Sequence, residues 1–127
     1  MKIPESRFRS KTEAAYNTIL FYLKARGEIE GYEYEPKPPK ILHSMGRGRT
    51  YQPDFLVYYK GSCRVYVEIK GGYIREDAQL KFEWAASKYI NEEFQMIQFK
   101  NGVWTLIRHY KNGVSVLVKK KRKGIKK

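Results

Sequence analysis

Two strand-length runs joined by a tight turn set the strongest limit on what this chain can fold into. Asp54 to Tyr59 (DFLVYY) is short, apolar and aromatic, Lys60-Gly61-Ser62 is turn punctuation, and Arg64 to Lys70 (RVYVEIK) alternates apolar with polar. β-Branched and aromatic residues bounded by turn residues predict a β-hairpin. The rest of the chain is arranged around it. Ser10-Lys11-Thr12-Glu13 has the form of a capping box and opens a predicted helix to about Arg26, stopping at Gly27. Tyr16, Ile19, Leu20 and Leu23 fall at i, i+3, i+4 and i+7, predicting one buried stripe. Ile29 to Glu35 reads as a strand with one wet face. Pro36, Pro38 and Pro39 stop any ladder, so the piece through Arg49 is expected to be irregular or extended.

After Gly71-Gly72 a second helix is predicted from about Arg75 to Ile90, with Phe82, Ala85, Ala86 and Tyr89 on its core side. Phe94 to Phe99 predicts a strand, and Val103 to Tyr110 with Val114 to Val118 a hairpin across Asn112-Gly113. There is no internal repeat. The order α-β-β-β-α-β-β-β implies an α+β fold with a mixed β-sheet flanked by helices. With 127 residues the chain fills one core, taken as residues 1–118, followed by a basic tail at 119–127 expected to be flexible.

Charge narrows the partner. Lys and Arg outnumber Asp and Glu by 26 to 13, a net charge of +13. Seven of these basic residues lie in Lys119 to Lys127, and the remainder still carries +6. A body that stays basic without its tail points to a polyanion, and phosphate contacts by Lys and Arg supply most sequence-independent affinity for nucleic acid. An anionic membrane surface would need a basic amphipathic helix, which is missing from the pattern. No apolar run approaches the roughly 18 residues of a membrane span, and MKIPESRFRS has no apolar signal-type segment. Cys63 is the single cysteine, so no internal disulfide or Cys-based zinc site can form. A cytoplasmic, reducing setting is expected, with no membrane partner.

The hairpin also carries the chemistry. On a strand, Val65, Val67 and Ile69 face one way while Glu68 and Lys70 face the other, about 6 to 7 Å apart along the backbone. Asp54, after Pro53, opens the partner strand, and the return of the hairpin can bring both carboxylates to one end of the sheet. Two carboxylates and a main-chain carbonyl, here that of Ile69, suit Mg²⁺, which keeps room for water and phosphate. Lys70 would polarise the attacking water. Taken singly, Glu-x-Lys is usually a solvated edge pair and Pro-Asp a common turn. Their combination with an apolar hairpin in a strongly basic domain is what favours the catalytic reading.

Three segments carry a resemblance: Phe8-Arg9-Ser10-x-x-Glu13, Tyr51-x-Pro53-Asp54-Phe55-Leu56, and Val67-Glu68-x-Lys70-Gly71. In order and spacing they resemble the phage endonuclease I family of Holliday-junction resolvases, within the PD-(D/E)xK nucleases. The resemblance covers roughly Arg7 to Phe99; the Asn-Gly hairpin beyond has no alignable counterpart. It implies a restriction-endonuclease-like core. It also implies that Glu13, Asp54 and Glu68 are the acidic active-site residues and Lys70 the catalytic lysine, with Glu13 an additional candidate metal ligand beside Asp54, Glu68 and the Ile69 carbonyl. The implied activity is Mg²⁺-dependent cleavage of branched DNA, with Mn²⁺ expected to substitute, in the host cytoplasm if the protein is phage-encoded. A homodimer is implied too, exchanging elements through Glu33 to Ser44, whose prolines suit a stiff bridge; a monomeric surface loop is the alternative.

Arg7, Arg9, Lys11, Arg47 and Arg49 lie near the active-site segments in sequence and are candidates for DNA phosphates. Trp84 and Trp104 are expected in the core, and His43 and His109 lack partners for histidine-metal chemistry. No Gly-rich phosphate loop or nucleophile elbow is present. Three other readings remain: a nicking or restriction-like nuclease acting on linear duplex, a noncatalytic nucleic-acid-binding protein on a nuclease-like scaffold, and a ribosome-associated or RNA-binding basic protein, which fits the tail but leaves the hairpin carboxylates unexplained.

Overall fold

The computed structural model of the protein describes residues 8–36, 43–44 and 50–116. Helix α1 (Lys11–Ala25) is followed by β1 (Gly31–Tyr34), the short strands β2 (His43–Ser44) and β3 (Thr50–Tyr51), and the hairpin β4 (Phe55–Tyr59) and β5 (Cys63–Gly71). Then come α2 (Glu76–Lys88), β6 (Glu93–Lys100), β7 (Val103–Lys111) and β8 (Val114–Ser115). Six strands form one mixed sheet in the order β1-β4-β5-β6-β7-β8, with β2 and β3 paired separately. The fold is α+β, a mixed sheet flanked by two helices. Among the described residues only β5 and β6 pair in parallel, and α2 lies between them in sequence because a parallel pair cannot be closed by a tight turn. Among the described residues no helix is long and apolar enough to cross a membrane.

Period-two alternation gives the sheet two cores. On one face Leu56, Tyr66, Phe94 and Met96 pack against Phe82, Ala85 and Ala86 of α2. Tyr66 stacks on Phe94 with centroids 5.4 Å apart. On the other, Phe55, Val57, Val65, Val67 and Ile69 pack under Leu20 of α1 and Ile29. Phe55, Phe82 and Phe94 are fully buried, each contributing about 1.5–3 kcal/mol relative to exposure. Anchors on both faces explain why neither side of the sheet is wet at its centre.

The helices begin and end close to where capping predicts. Ser10 caps α1, its hydroxyl accepting from the Glu13 N–H at 3.1 Å. The buried line of α1 differs from the apolar stripe, however. Glu13, Ala14, Asn17 and Leu20 are buried, whereas Tyr16 and Leu23 pack at the margin of the core. Apolar periodicity located the helix but placed its inward face slightly off, because two polar residues point at the sheet. Trp84 and Trp104 are likewise partly buried residues at the margins of the two cores.

The Asn112-Gly113 turn has both residues in the left-handed region, at φ 58° and 78°, as a primed turn requires. The same dipeptide at 101–102, φ 53° and 77°, closes the β6–β7 hairpin. Strand β8 is shorter than the predicted 114–118; residues 117 onward, and so the whole basic tail, lie outside the described residues. The connection expected to be irregular contains the β2–β3 pairing, His43 opposite Tyr51. Half of the expected Glu33 to Ser44 bridge, residues 37–42, also falls outside the described residues.

Candidate active site

Asp54 lies one residue before β4, where its main chain is held from two sides. Its N–H donates to the Val67 carbonyl at 3.1 Å, and its carbonyl accepts from the Glu35 N–H at 2.7 Å. The β4–β5 register ends at Phe55 opposite Val67, so the next inward-facing N–H of β5, that of Ile69, has no strand partner on this side. The Asp54 carboxylate takes that place, Oδ2 accepting from Ile69 at 2.7 Å. The side chain thus continues the ladder, which explains why a carboxylate stands at this sheet end. The main chain of Ile69, expected as an oxygen donor, meets Asp54 through its N–H.

Glu68 and Lys70 project together from β5, with Nζ 3.2 Å from Glu68 Oε2. The other oxygen of Glu68 accepts from the Tyr51 hydroxyl at 2.8 Å. Tyr51 is buried, and its hydroxyl is held well above its ordinary pKa by burial first and by the Glu68 carboxylate second. Glu13 reaches the same region from α1. Its carboxylate accepts from the Tyr34 hydroxyl at 2.6 Å, and that hydroxyl accepts from the Arg9 N–H at 3.1 Å. Ser10 and Glu13 therefore make the backbone half of a capping box, while the Glu13 side chain turns to the sheet.

The electrostatics follow from this convergence. Burial raises the Asp54 carboxyl well above the usual carboxylate range, and the charges of Glu68 and Glu13 add to it; the Ile69 N–H and Lys70 only partly offset them. Glu68 is raised by burial, with Lys70 and Tyr51 holding it back. Clustered carboxylates in a partly desolvated site favour a bound cation. Among the described residues no three Asp, Glu, His or Cys side chains converge closely enough to hold an ion between them. The carboxylates of Asp54 and Glu68 are hard oxygens, of the kind that could hold Mg²⁺ alongside water and phosphate. Glu13 stands behind them, tied to Tyr34.

An open cleft of about 530 Å³ is lined among others by Arg9, Tyr51, Glu68, Lys70, Arg75, Asp77 and Lys81; Asp54 and Glu13 are not among its lining residues. Of the expected phosphate-binding residues, Arg9 lines the cleft and pairs with Glu35 at 2.8 Å. Lys11, at the first turn of α1, is exposed and is not part of the lining. Arg7, Arg47 and Arg49 lie outside the described residues. Arg75 and Lys81 were missed by sequence reasoning, since only the β5–α2 crossover brings them to Lys70. Tyr34 and Tyr51 were missed as well; a tyrosine in a strand carries no signal of its hydroxyl's partner. His109 is paired with Glu93 at the far end of β6 and takes no part.

Gly71 leaves room for the first turn of α1: a Cβ there would stand 2.7 Å from Thr12 Oγ1. Gly71→Ala is expected to push α1 outward and destabilise the fold by about 1–3 kcal/mol. Thr12→Ala should restore most of that loss, read by urea denaturation; failure of the rescue would mean that the contact does not set the helix position.

No family model matches the sequence, and no curated protein matches it significantly. Among solved structures, one described as the crystal structure of SSO0001 is similar at 10% identity over 84% of this chain, with a TM-score of 0.41. The chain spans 55% of that structure's length.

Proposed function

We propose that the protein is a divalent-metal-dependent, structure-selective DNA endonuclease of the PD-(D/E)xK type, hydrolysing phosphodiesters at four-way and other branched DNA junctions. The observation that carries this reading is the gathering of Asp54, Glu68 and Lys70 at one sheet end, where Glu68 and Lys70 line an open cleft that carries more basic than acidic side chains. Carboxylates beside a phosphate repel it unless a cation lies between them. A purely binding surface would be weakened by such groups, whereas a hydrolytic site needs them.

In this reading Asp54 and Glu68 would hold Mg²⁺, which would supply Lewis acidity and charge neutralisation at the scissile phosphate. Lys70, kept in place by Glu68, presents its ammonium to the attacking water and to negative charge developing on the phosphate. Tyr51 fixes the rotamer of Glu68 from the buried side, and the Ile69 N–H fixes Asp54. Glu13 adds negative potential from α1 and is oriented by Tyr34. Arg9 stands on the cleft wall, where a phosphate can displace Glu35 from it.

The direct test is cleavage of an immobile four-way junction and of its linear arms in Mg²⁺ or Mn²⁺. Paired, symmetric cuts near the branch point uphold the proposal. Equal cutting of the linear arms keeps the nuclease and discards the junction selectivity, and tight binding without cleavage of any DNA refutes both. Tyr51→Phe removes one hydrogen bond and leaves the packing. It is expected to weaken Mg²⁺ dependence or activity about 10- to 100-fold, seen as a shifted Mg²⁺ titration of the cleavage rate. An unshifted titration would relegate Tyr51 to the core alone.

A further inference from the structure

Resting on the nuclease reading of the cleft, we propose that Tyr73 is a stacking residue that captures an unstacked base at a DNA branch beside the site of cleavage. Tyr73 is 86% exposed, the highest value among the exposed large hydrophobic residues. It lies on the short connection between β5 and α2, between Lys70 and Arg75, which both line the cleft. Three residues of chain keep its Cα within about 11 Å of that of Lys70. This is about three base steps of a DNA strand at roughly 3.4 Å each.

The connection is anchored on both sides of the ring. Gly72, at φ 77°, takes a conformation that other residues resist. Its N–H donates to the Phe99 carbonyl at 3.2 Å, and its carbonyl accepts from the Gln98 amide. Ile74 packs against the α2-side core. With its neighbours fixed, Tyr73 presents its ring to solvent and has mainly its own side-chain torsions left to order on contact. A lone exposed tyrosine needs no explanation. One on an anchored connection, two and three residues from the cleft-lining Arg75 and Lys70 and with Lys81 on the same cleft, has the two components of single-strand recognition: an aromatic platform and phosphate-binding cations, of which Arg75 is paired in the free protein with Asp77. Intact duplex buries its bases in the stack, so such a platform gains contact only where pairing is interrupted. Tyr73 thereby couples branch recognition to the catalytic groups through a few residues of backbone.

The test compares wild type with Tyr73→Ala and Tyr73→Trp on a four-way junction and on linear duplex. Tyr73→Ala is expected to lower kcat/KM on the junction at least about five-fold and to change linear-duplex cleavage less than about two-fold, with Tyr73→Trp near wild type. Unchanged junction cleavage in Tyr73→Ala, or an equal loss on both substrates, overturns the proposal. A parallel binding assay without divalent metal uses a fluorescent aminopurine at the branch nucleotide. Its emission should change on binding wild type and not on binding Tyr73→Ala. If the wild type cleaves nothing yet shows this Tyr73-dependent change, the nuclease reading falls and the stacking role stands. If it cleaves and the change persists in Tyr73→Ala, the stacking role falls and the nuclease reading stands.

Discussion

Asp54→Asn is expected to reduce metal-dependent DNA cleavage at least roughly a thousand-fold while making the metal-free protein more stable. The Asn oxygen can still accept from the Ile69 N–H, which Asp54 meets at 2.7 Å, so the ladder is kept. What disappears is a carboxyl raised by burial and by the neighbouring charges of Glu68 and Glu13. Its folded pKa lies above its unfolded one, so its contribution to stability is present at low pH and lost as pH rises. The stabilising effect of the substitution should therefore be seen near neutrality, at about 1 kcal/mol or a few degrees in Tm. It should fade towards about pH 4, where the unfolded Asp also holds its proton. Thermal melts in EDTA across this range, beside cleavage assays in Mg²⁺, measure both parts. A variant that is inactive but less stable at neutral pH would point to lost structure and not to lost chemistry. A variant that cleaves normally would remove Asp54 from the site.

Phe55→Ala carries the largest expected loss of stability, about 3–5 kcal/mol. Phe55 is fully buried and its ring joins three elements, 5.3 Å from Tyr16 of α1 and 5.3 Å from Tyr34 of β1. It also immediately follows Asp54 in the chain. Truncation leaves a cavity between α1 and the sheet and frees Tyr34, the partner of Glu13. In a domain of this size such a loss is a large fraction of total stability. Urea denaturation should show a much lower midpoint, and any folded remainder should cleave poorly because Glu13 and Asp54 are no longer held in register. Phe55→Leu fills much of the cavity and should recover most of the stability. A loss below about 1 kcal/mol for Phe55→Ala would mean that this core collapses around the gap.

Local patterns made much of the fold legible. The Ser10 cap, the apolar hairpin, the Asn-Gly turn and the Phe82, Ala85, Ala86 stripe depend on neighbours a few residues away, and each lies close to its predicted place. Strand alternation likewise put Glu68 and Lys70 on one face before any pairing was known. The inward face of α1 was less legible, because Glu13 and Asn17 lie where periodicity expects apolar side chains. The basic residues of the cleft were legible only in part. Arg9 was visible from its motif, but Arg75 and Lys81 reach the cleft through the parallel β5–β6 crossover.

The sequence alone determined both helices and the main strands of the sheet though not the β2–β3 pairing, the face shared by Glu68 and Lys70, and the excess of positive charge, since these follow from local spacing and composition. Tertiary structure decided what those groups do to one another. Asp54 accepts from Ile69 because β4 stops one residue short, Glu68 meets Tyr51 because the chain returns through β3, and Glu13 turns to Tyr34 because α1 lies on the opposite face. These contacts join residues 15, 17 and 21 positions apart. Hydrogen bonding and carboxylate repulsion act over a few ångströms of space, and sheet pairing alone brings such distant positions within that range.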